Sequence, residues 1–248
     1  MNFFKDYIYL FFLLLVMISY LFIDFIDGAN IFTSGDTLSP IAVKNSIKFY
    51  LDTFNEFPFW FSPILGGIPT VHSFLHISNY YYPHHIMMFL NQFGVPWFWN
   101  FIFHLVFGSI GMYSLLIFLK QNRTSAIFGA ILFLFMPYMI TMTAYGHGSQ
   151  MMSGVYIPWI ILYLFKISNK MKLIDLCIFS LLVGFQLLRG HIQIAYYTWM
   201  MIGLFVIVSL FYKYFISKKE ILKILKNSLA VIIFSLIGLI LSLSVYLP

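Results

Sequence analysis

Long apolar runs alternate with short polar clusters through the whole chain, and the clusters are rich in lysine, glycine and proline. A helix needs about twenty apolar residues to cross the hydrocarbon core of a bilayer. Runs of this kind predict helices at about 7–26, 97–119, 125–143, 153–166, 173–189, 192–212 and 228–247, the fourth and fifth being short. They are apolar on every side, whereas barrel strands alternate polar with apolar residues. With no water in the bilayer core, such a run satisfies its backbone groups as a helix. The expected fold is therefore all-α, a polytopic transmembrane helical bundle of about seven spans.

The pattern changes between the first two runs. Ser39-Pro40 reads as an N-cap followed by proline at the first helical position. Beyond it, Lys44, Lys48 and Asp52 recur every four residues while Ile47, Leu51 and Phe54 follow another face. That is the pattern of an amphipathic helix lying on a membrane surface. The stretches FPFWFSPILGGIPTVHSFLH and ISNYYYPHH come next, and their proline, glycine and aromatic content suits a packed loop with interfacial anchors. Residues 1–248 thus read as one membrane domain: a first span at 7–26, a long loop at 27–96, and six further spans within 97–247. The chain stops at SVYLP, within a helix exit, as expected of an N-terminal fragment of a longer membrane protein.

Composition sharpens this picture. Hydrophobic residues make up 61% of the 248 residues and charged ones 9%, against about a quarter charged in a soluble domain; mean hydropathy is +0.91. The net charge of +6 does not indicate nucleic acid, because the basic residues sit in short clusters beside apolar runs. Lys5, Lys120, Arg123, Lys166, Lys170, Lys172, Lys213, Lys218, Lys219, Lys223 and Lys226 fall on alternate loops, eleven of the fourteen basic residues. The positive-inside rule makes that side cytoplasmic, places the N-terminus there, and puts loop 27–96 outside. The N-terminal run has no A-x-A cleavage site and outlasts a signal-peptide core, so it reads as a retained anchor. A single cysteine, Cys177, lies within an apolar run, which excludes a disulfide framework and a thiolate metal cluster. The richness in Phe, Ile, Asn and Lys hints at a bacterial origin.

Four polar features share the predicted outer side. Asp36 lies in IFTSGDTLSP, between the turn formers Gly35 and Thr37. It is suited either to take a proton from an attacking hydroxyl or to cap the helix that follows. Asp24 and Asp27, near the end of the first run, read as its interfacial boundary, although either is a rival for the acid role. TAYGHGSQMMSG carries His147 and Gln150, and LLRGHIQIAYY carries Arg189, His191 and Gln193. Arg189 stands on the side that disfavours positive charge; its fork suits a phosphate, and snorkelling to headgroups is the alternative. His147 and His191 each follow a glycine, which permits a tight bend, and they serve either substrate or the loop's own hydrogen bonding. The loop histidines are His72, His76, His84 and His85. His72 and His76 have a zinc-compatible spacing, but no H-E-x-x-H glutamate accompanies them, so no metal is expected. His104, inside the second run, reads as a hydrogen-bonded interhelical residue. G-x-x-x-x-G-K-[ST], G-x-G-x-x-G and G-x-S-x-G are absent, and no cofactor is called for.

Taken together, the lone aspartate after the first span, the surface helix, FPFWFSPILGGIPT, YGHGSQ and RGHIQIAYY resemble the bacterial YfhO-type membrane proteins, within the GT-C class of polytopic glycosyltransferases. The resemblance is one of layout over essentially the whole chain. It implies a multi-pass protein of the bacterial cytoplasmic membrane that transfers sugar, with inversion, from a polyprenyl-phosphate donor to an envelope acceptor. It implies Asp36 as the base at the acceptor hydroxyl and a cation such as Arg189 at the departing lipid phosphate, with His147, His191 and Gln193 as further candidates for substrate binding. Two other expectations stand beside it: a transporter or flippase of lipid-linked intermediates, and a non-catalytic envelope scaffold.

Overall fold

The computed structural model describes residues 3–32, 35–70, 80–212, 215 and 221–246. The chain is almost entirely helical. Helix α1 spans Phe3–Leu21 and α2 spans Gly35–Phe54. A two-residue antiparallel pair, β1 (Trp60–Phe61) and β2 (Ile68–Pro69), is in register Trp60↔Pro69 and Phe61↔Ile68. Then come α3 (Tyr82–Gln92), α4 (Trp99–Phe118), α5 (Arg123–Leu134), α6 (Pro137–Ala144), α7 (Gly148–Gly154), α8 (Ile157–Asn169), α9 (Leu173–Leu188), α10 (Ile192–Tyr212) and α11 (Ile221–Tyr246).

Each predicted apolar run coincides with helix, but two are divided by proline. The run at 125–143 is α5 and α6, parted at Pro137, and the run at 153–166 becomes α7 and α8, with Pro158 in the first turn of α8. Proline has no N–H to continue the ladder and is tolerated only in a first turn. Five stretches are long and apolar enough to cross a membrane: Trp99–Phe118, Arg123–Ala144, Gly148–Asn169, Ile192–Tyr212 and Leu222–Leu243; Leu173–Leu188 is apolar but shorter. Large apolar side chains stay exposed along α10 and α11, among them Met200, Leu204, Ile207, Phe211, Leu229, Ile233 and Ile240. An apolar face of this extent is unfavourable in water and is what lipid covers. The architecture is that of an all-α membrane protein.

The core is built from the buried sides of α1, α4, α5, α8 and α9, with Leu14, Ile18, Leu105, Ala130, Leu134, Ile160 and Phe179 all at 0% exposure. Small residues let helices approach closely. Gly111 lies under the Trp159 ring, whose Nε1–H donates to the Phe107 carbonyl at 2.9 Å. One end of the bundle is tied by Arg123 to Asp6 at 2.7 Å and by the Tyr7 and Ser114 hydroxyls at 3.2 Å. At the opposite end Trp99 Nε1–H donates to the Ile26 carbonyl at 3.0 Å, which closes α1 onto the start of α4.

The loop differs from expectation in two respects. The surface helix begins at Gly35, so Ser39 and Pro40 lie inside it and do not form its cap. Pro40 falls beyond the first turn, where it removes the backbone donor to the Asp36 carbonyl. The described side chains of α2 are almost all exposed, Lys44, Lys48, Leu51, Asp52 and Phe54 included, and Val43 alone of them is buried. Secondly, α3 occupies a stretch expected to be irregular. Pro83 in its first turn and Gly94 just past its end are the ordinary punctuation of a short helix.

Candidate functional site

At the Ile26–Trp99 end a polar cluster is assembled from four separate segments. Tyr81 precedes α3 in an extended conformation (φ −87°, ψ 97°), and Pro83 fixes the turn that follows. Its ring is completely buried. Its hydroxyl lies 2.7 Å from Nε2 of His104 on α4 and also bonds the hydroxyl of Tyr156, between α7 and α8. His104 Nδ1 is 2.6 Å from the Asn100 carbonyl oxygen. A carbonyl only accepts, so Nδ1 carries the proton and Nε2 of the neutral ring is the acceptor. Donation therefore runs one way: Tyr156 to Tyr81, Tyr81 to His104, His104 to Asn100. Burial raises the Tyr81 phenol to about 12, outweighing the opposing hydrogen bond from Tyr156 and the charge of Arg189. At neutral pH Tyr81 is thus an uncharged, fixed donor.

Arg189 caps the C-terminal end of α9 and is only 9% exposed. Its guanidinium carbon sits 4.6 Å from the centroid of the Tyr81 ring, a cation–π contact. Its Nε is buried with no hydrogen-bond partner, and among the described residues no carboxylate pairs with it. An arginine does not shed its proton, and a buried cation without a counter-charge is destabilising. The arrangement is therefore one that an anion would complete.

Two histidines at this end carry similarly unpaired nitrogens. His84 stacks on Trp97, with centroids 5.0 Å apart and planes at 16°, and its Nδ1 is buried without a partner. Its pKa is lowered, first by burial and then by the charges of Arg189 and His85. Arg189 is thus within electrostatic reach of His84. His191 Nδ1 is also buried and unpartnered, and its pKa is lowered by burial and then by His147, against a smaller backbone hydrogen bond. The two G-H turns bring this about. Gly146 (φ 88°) and Gly190 (φ 70°) adopt the left-handed conformation that reverses the chain before α7 and α10.

A groove of about 550 Å3 opens against the cluster. Tyr81, Asn100, His104 and Tyr156 form its polar wall, and Met87, Leu90, Phe103, Leu182 and Phe185 are among the apolar side chains forming the rest. A second cavity of about 540 Å3 lies on the other side of the start of α4. Trp97, Phe98 and Phe101 line it, together with Asp27, Asn30 and Asn91.

The structure brings Arg189, His147 and His191 to one end of the bundle. His147 is exposed there. Gln193 does not join them: it is exposed on α10 and donates to the Tyr197 hydroxyl at 2.9 Å, one helical turn on. Asp36 lies in the first turn of α2, and its side chain is outside the described residues, as are His72 and His76 altogether. Gln150 bonds the Tyr138 hydroxyl. His104 is hydrogen-bonded between segments, as expected. Tyr81 and Tyr156 were not foreseen, since nothing in YYYP or VYIPW sets one tyrosine apart from its neighbours. Among the described residues no group of three or more His, Cys, Asp or Glu side chains is placed to hold a metal ion. No family model, no curated protein and no solved structure matches the chain.

Proposed function

We propose that the chain is a membrane glycosyltransferase, or the membrane half of one, which transfers a sugar from a polyprenyl-phosphate donor to an envelope acceptor. The observation that carries this reading is an apolar groove of about 550 Å3 lined by Tyr81, whose ring bears a buried arginine that has no carboxylate partner among the described residues. A substrate with an isoprenoid tail and a phosphate head has the two matching halves. The tail lies along Leu90, Phe103 and Phe185, and the phosphate takes the Arg189 fork. In this reading the site lies outside a bacterial cytoplasmic membrane, with the N-terminus inside and seven spans, and the clustering of lysines on alternate loops supports that orientation.

The reaction is a single displacement with inversion. Asp36, at the start of α2, accepts the proton of the acceptor hydroxyl as that oxygen bonds the anomeric carbon. The bond from that carbon to the phosphate oxygen breaks, and the lipid phosphate leaves with the electron pair. Arg189 stabilises the developing charge in surroundings of low polarity, where a fixed cation acts most strongly. His191 and His147, which lie within electrostatic reach of each other, serve as hydrogen-bonding groups for the sugar-phosphate.

The test separates binding from transfer. The chain, reconstituted in nanodiscs, is titrated with radiolabelled polyprenyl phosphate, and envelope glycan labelling is followed in cells. Arg189→Gln should weaken carrier binding by tenfold or more, on the order of one charge-assisted hydrogen bond. Asp36→Asn should keep binding and abolish labelling. Unchanged binding in Arg189→Gln overturns the site. Carrier binding with labelling unaffected by Asp36→Asn, and labelled carrier crossing vesicles, selects the flippase reading instead.

A further inference from the structure

We propose that the second cavity, of about 540 Å3, is a saccharide-binding subsite in which Trp97 is the stacking platform and Asp27 a hydroxyl acceptor. The choice of a sugar over another polyol rests on the glycosyltransferase reading; the class of ligand, a neutral polyhydroxy compound, rests on the cavity alone.

The cavity's hydrogen-bonding groups are acceptors on Asp27, Asn30, Asn91 and Thr143, together with the second amide N–H of each asparagine and the indole N–H of Trp97. Asp27, in the turn after α1, accepts from the Ala29 N–H at 2.9 Å through one carboxylate oxygen, and no described residue bonds the other. The Asn30 amide commits a donor to the Asp24 carbonyl at 2.7 Å, and Asn91 commits one to the Val95 carbonyl at 3.0 Å. Their amide oxygens remain unbonded by any described group. Thr143 spends its proton on the Met139 carbonyl at 2.8 Å, which leaves its oxygen as an acceptor. Among the described residues no lysine, arginine or histidine lines the cavity. Beside the Asp27 carboxylate, phosphate and carboxylate ligands are therefore disfavoured, and hydroxyls, which both donate and accept, are favoured. One carboxylate beside three neutral acceptors suits hydroxyls distributed around a ring better than the single point charge of an amine.

The remaining walls suit the other half of a sugar. Phe25, Phe32, Phe98 and Phe101 are apolar, and Trp97 is 45% exposed while His84 stacks against its ring. A pyranose has C–H faces and a hydroxyl rim, and an aromatic surface ringed by acceptors complements both. Position agrees as well. Ile41 of α2 lines this cavity, so it adjoins the helix that Asp36 begins. The first turn of α4 is the partition between the two cavities: Phe98 and Phe101 face this one, while Asn100 and His104 face the groove. Trp97 on one side stacks on His84, which feels Arg189 on the other.

The experiment is saturation-transfer NMR on the full chain in nanodiscs, with a panel of methyl hexopyranosides and tetramethylammonium as the amine probe. At least one glycoside should receive saturation at its ring protons. Asp27→Asn, nearly isosteric, should reduce that binding about tenfold, the loss of a charge-assisted hydrogen bond. Trp97→Phe should retain part of it and Trp97→Ala little. Saturation of tetramethylammonium alone, of no probe, or of glycosides equally in the parent and Asp27→Asn overturns the assignment. Glycoside binding together with failure of polyprenyl phosphate to bind leaves the subsite standing and removes the glycosyltransferase reading, so the two fail separately.

Discussion

Gly238 on α11 and Gly203 on α10 are both glycines within long apolar helices, yet a methyl group at each would meet opposite surroundings. A Cβ on Gly238 would lie 2.7 Å from the Ser180 carbonyl oxygen and 3.0 Å from Val183 Cγ1 on α9. A Cβ on Gly203 meets nothing within 4 Å. Replacing either with alanine gains about 1 kcal/mol of helix propensity, and this gain cancels when the two variants are compared. What remains is the overlap at Gly238. A backbone carbonyl cannot swing aside as a side chain can, so α9 and α11 must separate, at an overpacking cost of about 1–3 kcal/mol. For a chain of this size, the melting temperature of Gly238→Ala should then lie roughly 2–12 °C below that of Gly203→Ala. Circular dichroism and tryptophan fluorescence of both variants in the same detergent provide the measurement. The packing also reaches the site, because α9 ends at Arg189 and the Tyr246 hydroxyl of α11 donates to the Leu187 carbonyl at 2.7 Å. Gly238→Ala should accordingly weaken polyprenyl phosphate binding although it touches neither cavity, and Gly203→Ala should not. If Gly238→Ala melts at or above Gly203→Ala, the close crossing of α9 and α11 is wrong.

The periodic part of this structure was legible in the sequence because it depends on local chemistry. An apolar run of sufficient length has no alternative to helix in lipid, so the positions of α4, α9 and α10 follow from composition within a few residues, whereas α11 starts seven residues before its run. The breaks at Pro137 and Pro158 were equally local and legible, but the hydropathy of both runs conceals them. Arg189 could be singled out because a cation on the disfavoured side of a membrane has to be explained, and Gly146 and Gly190 because glycine before histidine permits a reversal. What could not be read was long-range pairing. Tyr81 meets His104 across 23 positions and Tyr156 across 75. Tyr80 and Tyr82 offer the same hydroxyl to any argument from sequence, yet both are exposed and only the middle tyrosine is buried. Gln193 shows the converse: it shares a motif with Arg189, but a position four residues on along an exposed helix face sends it to solvent.

Two further predictions probe the polar cluster. Tyr81→Phe keeps the ring under Arg189 and removes the hydroxyl, which leaves His104 Nε2 buried without a donor. Hydrogen bonds between membrane helices average about 0.6 kcal/mol and an orphaned buried acceptor costs about 1–3 kcal/mol, so thermal unfolding should show a loss of that order. Carrier binding should persist in Tyr81→Phe and fall in Tyr81→Leu, which also removes the cation–π surface; equal losses in both would refute a role for the ring. The second concerns pH. His84 and His191 have pKa values held below the ordinary 6.5, in both cases mainly by burial. Above pH 6.5 both are neutral, folded or unfolded, and contribute no pH dependence. As pH falls below 6.5 the unfolded chain takes up protons that the folded one refuses, and stability drops until the depressed folded values are reached. Melting temperatures measured from about pH 7.5 down to about pH 5 should therefore decline in the parent chain and less steeply in His84→Gln/His191→Gln. Bound lipid phosphate reverses part of this, because an anion beside Arg189 offsets the charge that helps hold the His84 pKa down. The acid-induced decline should then be shallower with polyprenyl phosphate present, and the difference should vanish in Arg189→Gln. A decline that is equally steep with and without the carrier, in a chain shown to bind it, would mean that the phosphate does not sit at Arg189.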